Sequence, residues 1–418
     1  MNETTLKPFD VSKHAVWQAY RKVENNRGGA GVDEQSLQQF GQDLKGNLYK
    51  LWNRLSSGSY FPPPVKLVEI PKQGGGIRPL GVPTVADRIA QTVVAAELEK
   101  IVEPIFDEDS YGYRPGRSAH DALDTCRQRC WKYDWAIDLD VKSFFDSVDH
   151  QLMLNAVAHH TDQRWILLYV QRWLTAPLQR PDGTLVQRDR GTPQGSAISP
   201  VLANLFLHYA FDVWLRRAFP SVPFERYADD AIVHCTSLAQ AEQVLDAIGK
   251  RLVECGLQLH PDKTRIVYCK SSNRPGSHEH ESFDFLGYTF RPRKAMSKTG
   301  EFFVGFLPAI STTAAKAKRQ QVRRWRLHLR TSQGLQDIAA FINPIVRGWI
   351  NYYGRFYRSR LILTVLQQIN EYLIRWAMQK YKRMRLSPRR AVQFLARIAR
   401  SNQSLFAHWQ LAPPYSAG

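Results

Sequence analysis

Two adjacent aspartates in a short β-favouring stretch are the first candidates for chemistry in this chain. Asp229 and Asp230 lie within residues 224–234, with Tyr227 and Ala228 before them and an Ala-Ile-Val run after them. These flanks predict two strands of a tight hairpin with the acids at its tip, although the tip has no glycine. Because neighbouring carboxylates repel each other, the pair indicates either a solvated turn or a site where a divalent cation neutralises both charges.

A second pair of acids lies on an earlier strand. In the stretch that begins at Trp135, strict alternation places apolar residues on one face of a strand and Asp138 and Asp140 on the other. Carboxylates in an otherwise apolar run are costly to bury unless water or a metal ion compensates them. This strand therefore supplies the further acid that a magnesium site at the hairpin tip would need.

Two glycine-rich segments could meet a ligand. Lys72 and Arg78 lie on opposite sides of a glycine turn and could close over a triphosphate, or they could be two solvated charges at a loop. The segment Pro193-Gln194-Gly195 lets the backbone approach a ligand closely, and the Gln194 amide can both donate and accept hydrogen bonds.

Charge is distributed unevenly along the chain. The 418 residues carry a formal net charge of +19, with 44% hydrophobic and 23% charged residues, which is ordinary for a globular protein of two or three domains. Residues 291–400 contain 24 Lys and Arg against three acids, which leaves the remainder close to neutral. Such polarisation favours a polyanion as partner, and nucleic acid is the commonest one.

The cationic region is predicted to be helical. Ser311 is expected to cap the first helix, and two further helices follow, the first of them interrupted before Pro344. The polar face of the capped helix carries a row of cations that includes Arg319, Arg323, Arg326 and Arg330. Trp and Tyr residues interleave with these cations, either as a core behind a solvated basic face or as part of a nucleic-acid surface.

Several classes of site are disfavoured by composition. The five cysteines form no CxxC pair, which suits small buried hydrophobes in a reducing compartment and argues against a zinc cluster. The start of the chain lacks a signal-peptide pattern, and no apolar run reaches the length of a membrane span. A cytoplasmic location with no membrane partner is therefore expected.

The motifs occur in the order of the conserved blocks of reverse transcriptases, and the similarity extends from about residue 11 to about residue 400. The blocks are Asp140-x-x-x-x-Phe145, Pro193-Gln194-Gly195, Tyr227-Ala228-Asp229-Asp230, Lys263 and Phe285-Leu286-Gly287. More narrowly, Ile70-Pro71-Lys72, Gly112-Tyr113-Arg114-Pro115-Gly116 and Ile342-Asn343-Pro344 resemble the group II intron reverse transcriptase/maturase family. Because residues 401–418 have no charges and no His/Cys cluster, the resemblance is to bacterial members without an endonuclease domain.

The resemblance implies an α+β fold of the right-hand polymerase type. Fingers and a palm with an antiparallel sheet would be followed by an α-helical thumb/maturase domain. The expected divisions are a helical extension of the fingers at residues 1–60, fingers and palm at 61–292, the basic thumb/maturase domain at 293–400 and a C-terminal tail at 401–418.

The resemblance also assigns roles to individual residues. Asp140, Asp229 and Asp230, with the backbone carbonyl of Val141, would hold two Mg²⁺, for which Mn²⁺ could substitute, whereas a role for Asp138 is left open. The residues implied at the incoming nucleotide are Lys72 and Arg78 on its triphosphate, Phe145 under its sugar, Gln194 and Gly195 in the pocket, and Lys263 near the leaving pyrophosphate. The primer grip would be Phe285, Leu286 and Gly287, and RNA would contact Arg319, Arg323, Arg326, Arg330 and Arg347.

The implied activity is RNA-directed DNA synthesis. Two Mg²⁺ would promote addition of dNTPs to the 3′-hydroxyl of a DNA or RNA primer on an RNA template. The same protein would bind its parent intron RNA and assist splicing and mobility. Two alternatives stay open: a domesticated reverse transcriptase in defence, spacer acquisition or DNA repair, and a protein that is mainly an RNA-binding splicing factor.

Overall fold

The structure is a computed structural model that describes residues 7–71, 77–297 and 299–414, with the backbone alone for Arg78. Its chain divides into two compact units. The first contains the described residues up to 118 together with residues 137–265, and the second contains residues 119–136 and those from 266 onwards. None of the helices in the described part of the chain has the length and apolar character that a membrane crossing requires.

Helices and strands alternate irregularly along the chain, as in a mixed α and β protein. The helices are α1 (Lys13–Asn26), α2 (Leu37–Gln42), α3 (Leu44–Ser57), α4 (Val85–Val102), α5 (Ala119–Lys132), α6 (Phe144–Ser147), α7 (His150–His160), α8 (Arg164–Thr175), α9 (Ser199–Leu207), α10 (Val213–Ala218), α11 (Leu238–Glu254), α12 (Thr312–Arg324), α13 (Leu335–Tyr353), α14 (Arg358–Leu361), α15 (Gln367–Lys380) and α16 (Pro388–Ser401). The strands are β1 (Val65–Pro71), β2 (Ile77–Val82), β3 (Trp135–Leu139), β4 (Leu178–Gln179), β5 (Leu185–Val186), β6 (Phe224–Tyr227), β7 (Asp230–Cys235), β8 (Arg265–Tyr268), β9 (Phe283–Phe285), β10 (Tyr288–Met296) and β11 (Phe302–Ile310).

Side-chain caps decide where several helices begin. The hydroxyl of Thr84 accepts a hydrogen bond from the Asp87 amide at the start of α4, and the hydroxyl of Ser237 does the same for the Gln240 amide at the start of α11. Ser311 caps α12 as the sequence predicts, because its hydroxyl accepts from the Ala314 amide at 3.1 Å. Each cap satisfies a backbone N–H that has no partner inside its helix.

Two sheets position the candidate site in the first unit. β1 and β2 form an antiparallel hairpin in the strand order β2-β1-β4-β5. β6 and β7 form a second antiparallel hairpin, and β7 lies between β6 and β3. The apolar side chains of this hairpin, such as Phe224, Ile232 and Val233, are fully buried. The tip of the hairpin and the end of β3 therefore carry the acidic residues on a rigid support.

The second unit combines a three-stranded sheet with a helical core. β10 pairs with β11 over its whole length, from Tyr288 opposite Ile310 to Met296 opposite Phe302. The expected division between residues 292 and 293 falls inside β10, so this hairpin lies in the same unit as the helices that follow it. The helical core is apolar, and its buried members include Val322, Trp325, Val346, Leu373 and Trp376.

Residues 402–414, the described part of the segment after α16, pack into this core. Asn343 of α13 donates to the carbonyl of Leu405 at 2.9 Å and accepts from the amide of Ala407 at 2.9 Å. Asn370 of α15 donates to the carbonyl of Ala412 at 2.8 Å. Two asparagines on neighbouring helices thus bind the backbone of a segment that the sequence indicated would be a tail.

Among the residues that this arrangement buries is His408. Its Nε2 lies 2.8 Å from Oδ1 of Asn370, and burial lowers its pKa from the ordinary 6.5 to about 3. A histidine with a lowered pKa in the folded state is neutral there, whereas it binds a proton in the unfolded chain below pH 6.5. Its contribution to stability is therefore complete above about pH 6.5 and is lost as the pH falls towards 3.

We expect the His408→Gln variant to resist acid better than the wild-type protein. At pH 5 the wild-type protein should have lost about 2 kcal/mol through His408, and the variant should not lose that amount. Urea unfolding followed by tryptophan fluorescence between pH 5 and pH 7 measures the difference. His208, whose pKa is also lowered, is present in both proteins and cancels. Parallel pH dependences for the two proteins would contradict the prediction.

Candidate active site

The two adjacent aspartates lie at the tip of the β6–β7 hairpin, as predicted from the sequence. Tyr227 pairs with Asp230, so Ala228 and Asp229 form a two-residue turn between the strands. Ala228 takes the positive φ of 57° that glycine would adopt more easily. This conformation costs an alanine about 1 kcal/mol, so the surrounding structure must hold the turn in place.

Asp140 lies immediately after β3 and is fixed by its backbone. The amide of His260 donates to the carbonyl of Asp140 at 2.8 Å, and Val141 forms a bridge with Leu259. Nζ of Lys263 lies 3.1 Å and 3.3 Å from the two carboxylate oxygens of Asp140. The structure thus brings together Asp140 and Lys263, two residues that the sequence assigned to one site.

Electrostatics connect Asp140 with the hairpin tip. The pKa of Asp230 is raised to about 6, first by loss of hydration and then by the charges of Asp229 and Asp140, while Lys263 acts in the opposite direction. Asp230 is nevertheless an exposed residue, so a cation from solvent can reach it. Carboxylates that repel one another at a solvent-accessible position are a donor set that fits a hard divalent cation such as Mg²⁺.

A glycine-containing loop approaches the backbone of two other elements. The carbonyl of Gln194 accepts from the Gly81 amide of β2 at 2.7 Å, and the Thr192 amide donates to the carbonyl of Phe145 at 2.7 Å. Gly195 has a φ of +108°, and a Cβ there would lie 2.6 Å from the carbonyl oxygen of Gly81. The predicted pocket residues Phe145, Gln194 and Gly195 therefore belong to one packed region.

A buried polar network, which sequence reasoning missed, anchors the same loop. The Ala197 amide donates to the side-chain oxygen of Gln91 at 2.8 Å, and the Gln91 amide group donates to Asp87 at 2.9 Å. Asp87 also accepts from the Tyr60 hydroxyl at 2.8 Å and from the Trp173 indole at 2.7 Å. Burial raises the pKa of Asp87 to about 6, although these three hydrogen bonds favour its ionised form. The available signal was that Asp87 and Gln91 lie one turn apart among the apolar residues of the buried face of α4.

Of the two residues predicted to bind the triphosphate, the structure describes only the backbone of one. Lys72 lies outside the described residues. The backbone of Arg78 lies in β2 opposite Ile70 of β1, so the strands on either side of the predicted glycine turn pair with each other. Contacts of these two cations with a triphosphate stay a prediction.

The predicted primer grip lies in the second unit, at the turn between β9 and β10. Leu286 and Gly287 form this two-residue turn with φ values of 50° and 76°. The hydroxyl of Tyr352 in α13 donates to the carbonyl of Leu286 at 2.8 Å, and the Ser311 amide donates to the carbonyl of Gly287 at 3.0 Å. Phe285 is buried beneath the turn, which is thereby held against α13.

The five predicted RNA-binding arginines differ in their surroundings. Arg323, Arg326 and Arg347 are exposed, and Arg319 is half-buried. Arg330 donates to the carbonyl of Trp325 at 3.0 Å, and its guanidinium lies 4.4 Å above the ring of Phe341. The guanidinium of Arg330 is therefore engaged within the unit, whereas the three exposed arginines present their charge to solvent.

Comparison with known proteins gives this arrangement a family. Residues 70–290 match the reverse transcriptase (RNA-dependent DNA polymerase) family, and residues 315–393 match the group II intron, maturase-specific domain. The chain is 31% identical over 323 residues to protein YkfC of Escherichia coli K12, an alignment that covers 68% of this chain and 80% of YkfC.

Two further relatives are intron proteins according to their names. The group II intron-encoded protein LtrA of Lactococcus lactis is 32% identical over 208 residues, which cover 49% of this chain and 34% of LtrA. An uncharacterised 91 kDa protein in the cob intron of Schizosaccharomyces pombe is 33% identical, with 85% of this chain and 51% of that protein aligned. The predicted resemblance and the predicted enzyme class are confirmed. The chain belongs to the reverse transcriptase (RNA-dependent DNA polymerase) family and carries a group II intron maturase-specific domain.

Proposed function

We propose that this chain extends a primer 3′-hydroxyl with dNTPs on an RNA template, at a site formed by the β6–β7 hairpin and the end of β3. The observation that carries the proposal is the pairing of β7, which begins at Asp230, with β3, which Asp140 follows, so that one sheet carries Asp140, Asp229 and Asp230. The proposed layout is a right-hand polymerase with the first unit as fingers and palm.

Asp140, Asp229 and Asp230, with the backbone carbonyl of Val141, would hold two Mg²⁺ or Mn²⁺ ions. Such ions supply charge neutralisation at a triphosphate and favour ionisation of the primer hydroxyl. Lys263 offsets the charge of Asp140, and its ammonium group is a proton donor beside the position where pyrophosphate would leave. Among the chain's own groups, the carboxylates therefore orient the reactants and Lys263 serves the leaving group.

The nucleotide pocket would be lined by the loop at Gln194 and Gly195. Its position is set by backbone contacts with β2 and with Phe145, so the pocket is shaped before a nucleotide enters. Phe145 is a half-buried ring that would pack under the sugar and exclude a 2′-hydroxyl. Lys72 and Arg78 would contact the triphosphate with their positive charges.

The second unit would bind the nucleic acid. Phe285, Leu286 and Gly287 would hold the primer end, and the exposed arginines of the second unit would contact phosphates of a template or of intron RNA. The charge excess of residues 291–400 supports this role, because a cationic surface binds a polyanion by releasing counterions. Binding of the parent intron RNA would then assist splicing and mobility.

We expect Asp230→Asn to abolish most RNA-templated synthesis without destabilising the protein. Replacing a mutually repelling carboxylate by an amide of the same shape removes a ligand charge but also removes repulsion. Extension of a DNA primer on an RNA template with Mg²⁺ should fall at least about 100-fold, while the melting temperature should not fall. Asp138→Asn, in the neighbouring strand β3, is the matched control and should retain synthesis. Undiminished synthesis by Asp230→Asn, or an equal loss in Asp138→Asn, would contradict the assignment.

We expect Gly195→Ala to impair nucleotide addition, because its new Cβ would meet the carbonyl oxygen of Gly81 and displace the loop. A displacement of about 1 Å in a substrate-positioning segment can cost about 100-fold in rate. Gly183→Ala is the control, since Gly183 also has a positive φ of 86° but nothing lies within 4 Å of its added Cβ. Both variants share the backbone strain, so steady-state kinetics should separate them. Equal activity of the two variants would rule out the packing argument.

We expect RNA binding to weaken steeply with added salt. For a single strand, the slope of log affinity against log salt concentration is about −0.7 for each neutralised phosphate. Replacing Arg323 and Arg347 by glutamine should reduce the magnitude of this slope by about 1.4 if both contact phosphates. Replacing Lys100 and Lys250, two exposed lysines of the first unit, removes the same charge and should change the slope much less. A flat salt dependence in the wild-type protein would show that the cationic surface does not track a phosphate backbone.

A further inference from the structure

We propose that Arg226 is a positioning residue for the proposed polymerase site: its buried guanidinium fixes the two-residue turn that presents Asp229 and Asp230. The inference rests on the proposed function, because it concerns how that site is held ready. Arg226 lies in β6, three residues before Asp229, and only 1% of its surface is exposed.

The guanidinium of Arg226 reaches the turn and two anchors at once. Its Nη1 donates to the carbonyl of Ala228 at 3.0 Å and to the side-chain oxygen of Asn204 at 3.0 Å. Its Nε donates to Asp212 at 2.7 Å, and its Nη2 donates to the second oxygen of the same carboxylate. A bidentate carboxylate on one edge of the plane therefore sets the direction in which Nη1 points at the turn.

The turn requires such an anchor for two reasons. Ala228 is held at a positive φ that an alanine avoids. Asp229 and Asp230 are also adjacent carboxylates that repel each other when both are ionised, so the turn would gain by opening. The hydrogen bond from Arg226 to the carbonyl of Ala228 opposes both tendencies.

The turn is confined on a second side by Gly112. A Cβ at Gly112 would lie 2.3 Å from the amide nitrogen of Ala228, so only a glycine allows this approach. The side-chain amide of Asn204 donates to the carbonyl of Gly112 at 2.7 Å. Asn204 thus links the segment on one side of the turn to the guanidinium on the other.

Stability alone does not explain this choice of residues. Burying an ion pair costs hydration, and apolar residues of similar volume often replace such a pair without loss of stability.

Asp212 is fully buried, and it ends a π-helical turn, His208–Asp212, that interrupts the α9–α10 segment. Insertions of this kind are frequent at functional sites. A planar fork with five donors is needed to bind Asp212, Asn204 and Ala228 together, whereas a lysine has a single nitrogen.

The decisive experiment is Arg226→Lys in the full chain, assayed by RNA-templated primer extension at varied Mg²⁺ and dNTP concentrations. The lysine keeps the ion pair with Asp212 but cannot also hold the carbonyl of Ala228. We expect kcat to fall between about 10-fold and 100-fold, as for a modest misplacement of catalytic groups. The Mg²⁺ concentration for half-maximal rate should rise several-fold, with a smaller change in KM for dNTP.

Arg216→Lys is the matched control. Arg216 pairs with Asp107 at 2.9 Å and with Asp109 in the same unit, and none of its described hydrogen bonds reaches the turn. The Arg216→Lys substitution should lower the melting temperature of the protein without changing its Mg²⁺ requirement. If Arg226→Lys does not fold, Asp212→Asn tests the positioning role instead. The amide keeps the shape of the carboxylate but holds the guanidinium of Arg226 less tightly. This variant too should raise the Mg²⁺ requirement.

The outcomes separate this inference from the proposed function. A folded Arg226→Lys or Asp212→Asn protein with wild-type kcat and an unchanged Mg²⁺ requirement would overturn the positioning role, even if its melting temperature fell. Absence of templated synthesis by the wild-type protein would instead refute the proposed function itself. A raised Mg²⁺ requirement in the variant that folds, with a normal requirement in Arg216→Lys, supports the inference.

Discussion

Carboxylates that repel one another must be held in one place before any cation arrives, and this requirement explains much of the first unit. Asp229 and Asp230 lie on a tight turn in which Ala228 adopts a positive φ, and the end of β3 adds Asp140. Each of these features raises the free energy of the local structure. The hairpin keeps its shape because its strands are buried and because Arg226 binds the backbone of the turn. Lys263 offsets part of the charge from the other side.

Two buried polar networks of this unit each fix a backbone segment. Asp87 and Gln91 anchor the loop that carries Gly195, as Arg226 and Asp212 anchor the turn. Such networks cost hydration, but when every member is paired they specify one arrangement more strictly than apolar packing does. Close backbone approaches at glycines complete the constraint. The site is thus prepared by groups that would never touch a substrate.

The role proposed for the second unit sets a different requirement, because binding a polyanion needs charge at the surface and only a stable support beneath it. Its core contains Trp325, Trp376 and Trp409 together with aliphatic side chains. Most of the cations that bear on the proposal, such as Arg323 and Arg347, are exposed. Arg330 is an exception, since its guanidinium caps a carbonyl and packs on an aromatic ring. Under the proposed function, the acids of one unit would supply the chemistry and the cations of the other would supply the affinity for nucleic acid.

Local patterns in the sequence were enough for the β6–β7 hairpin, for Asp140 at the end of β3 and for the cap at Ser311, because strand alternation, turn length and capping depend on residues close in the chain. The count of charged residues likewise distinguished the cationic region from the rest of the chain.

Other features depend on contacts between residues far apart in sequence, so only the tertiary structure decided them. α13 continues through Pro344, which is exposed, because Ile342 and Val346 on either side of it are buried in the core. The described part of the segment after Ser401 joins that core through the side chains of distant asparagines. Two partners of Arg226, Asn204 and Asp212, lie on other elements that no local pattern connects to it.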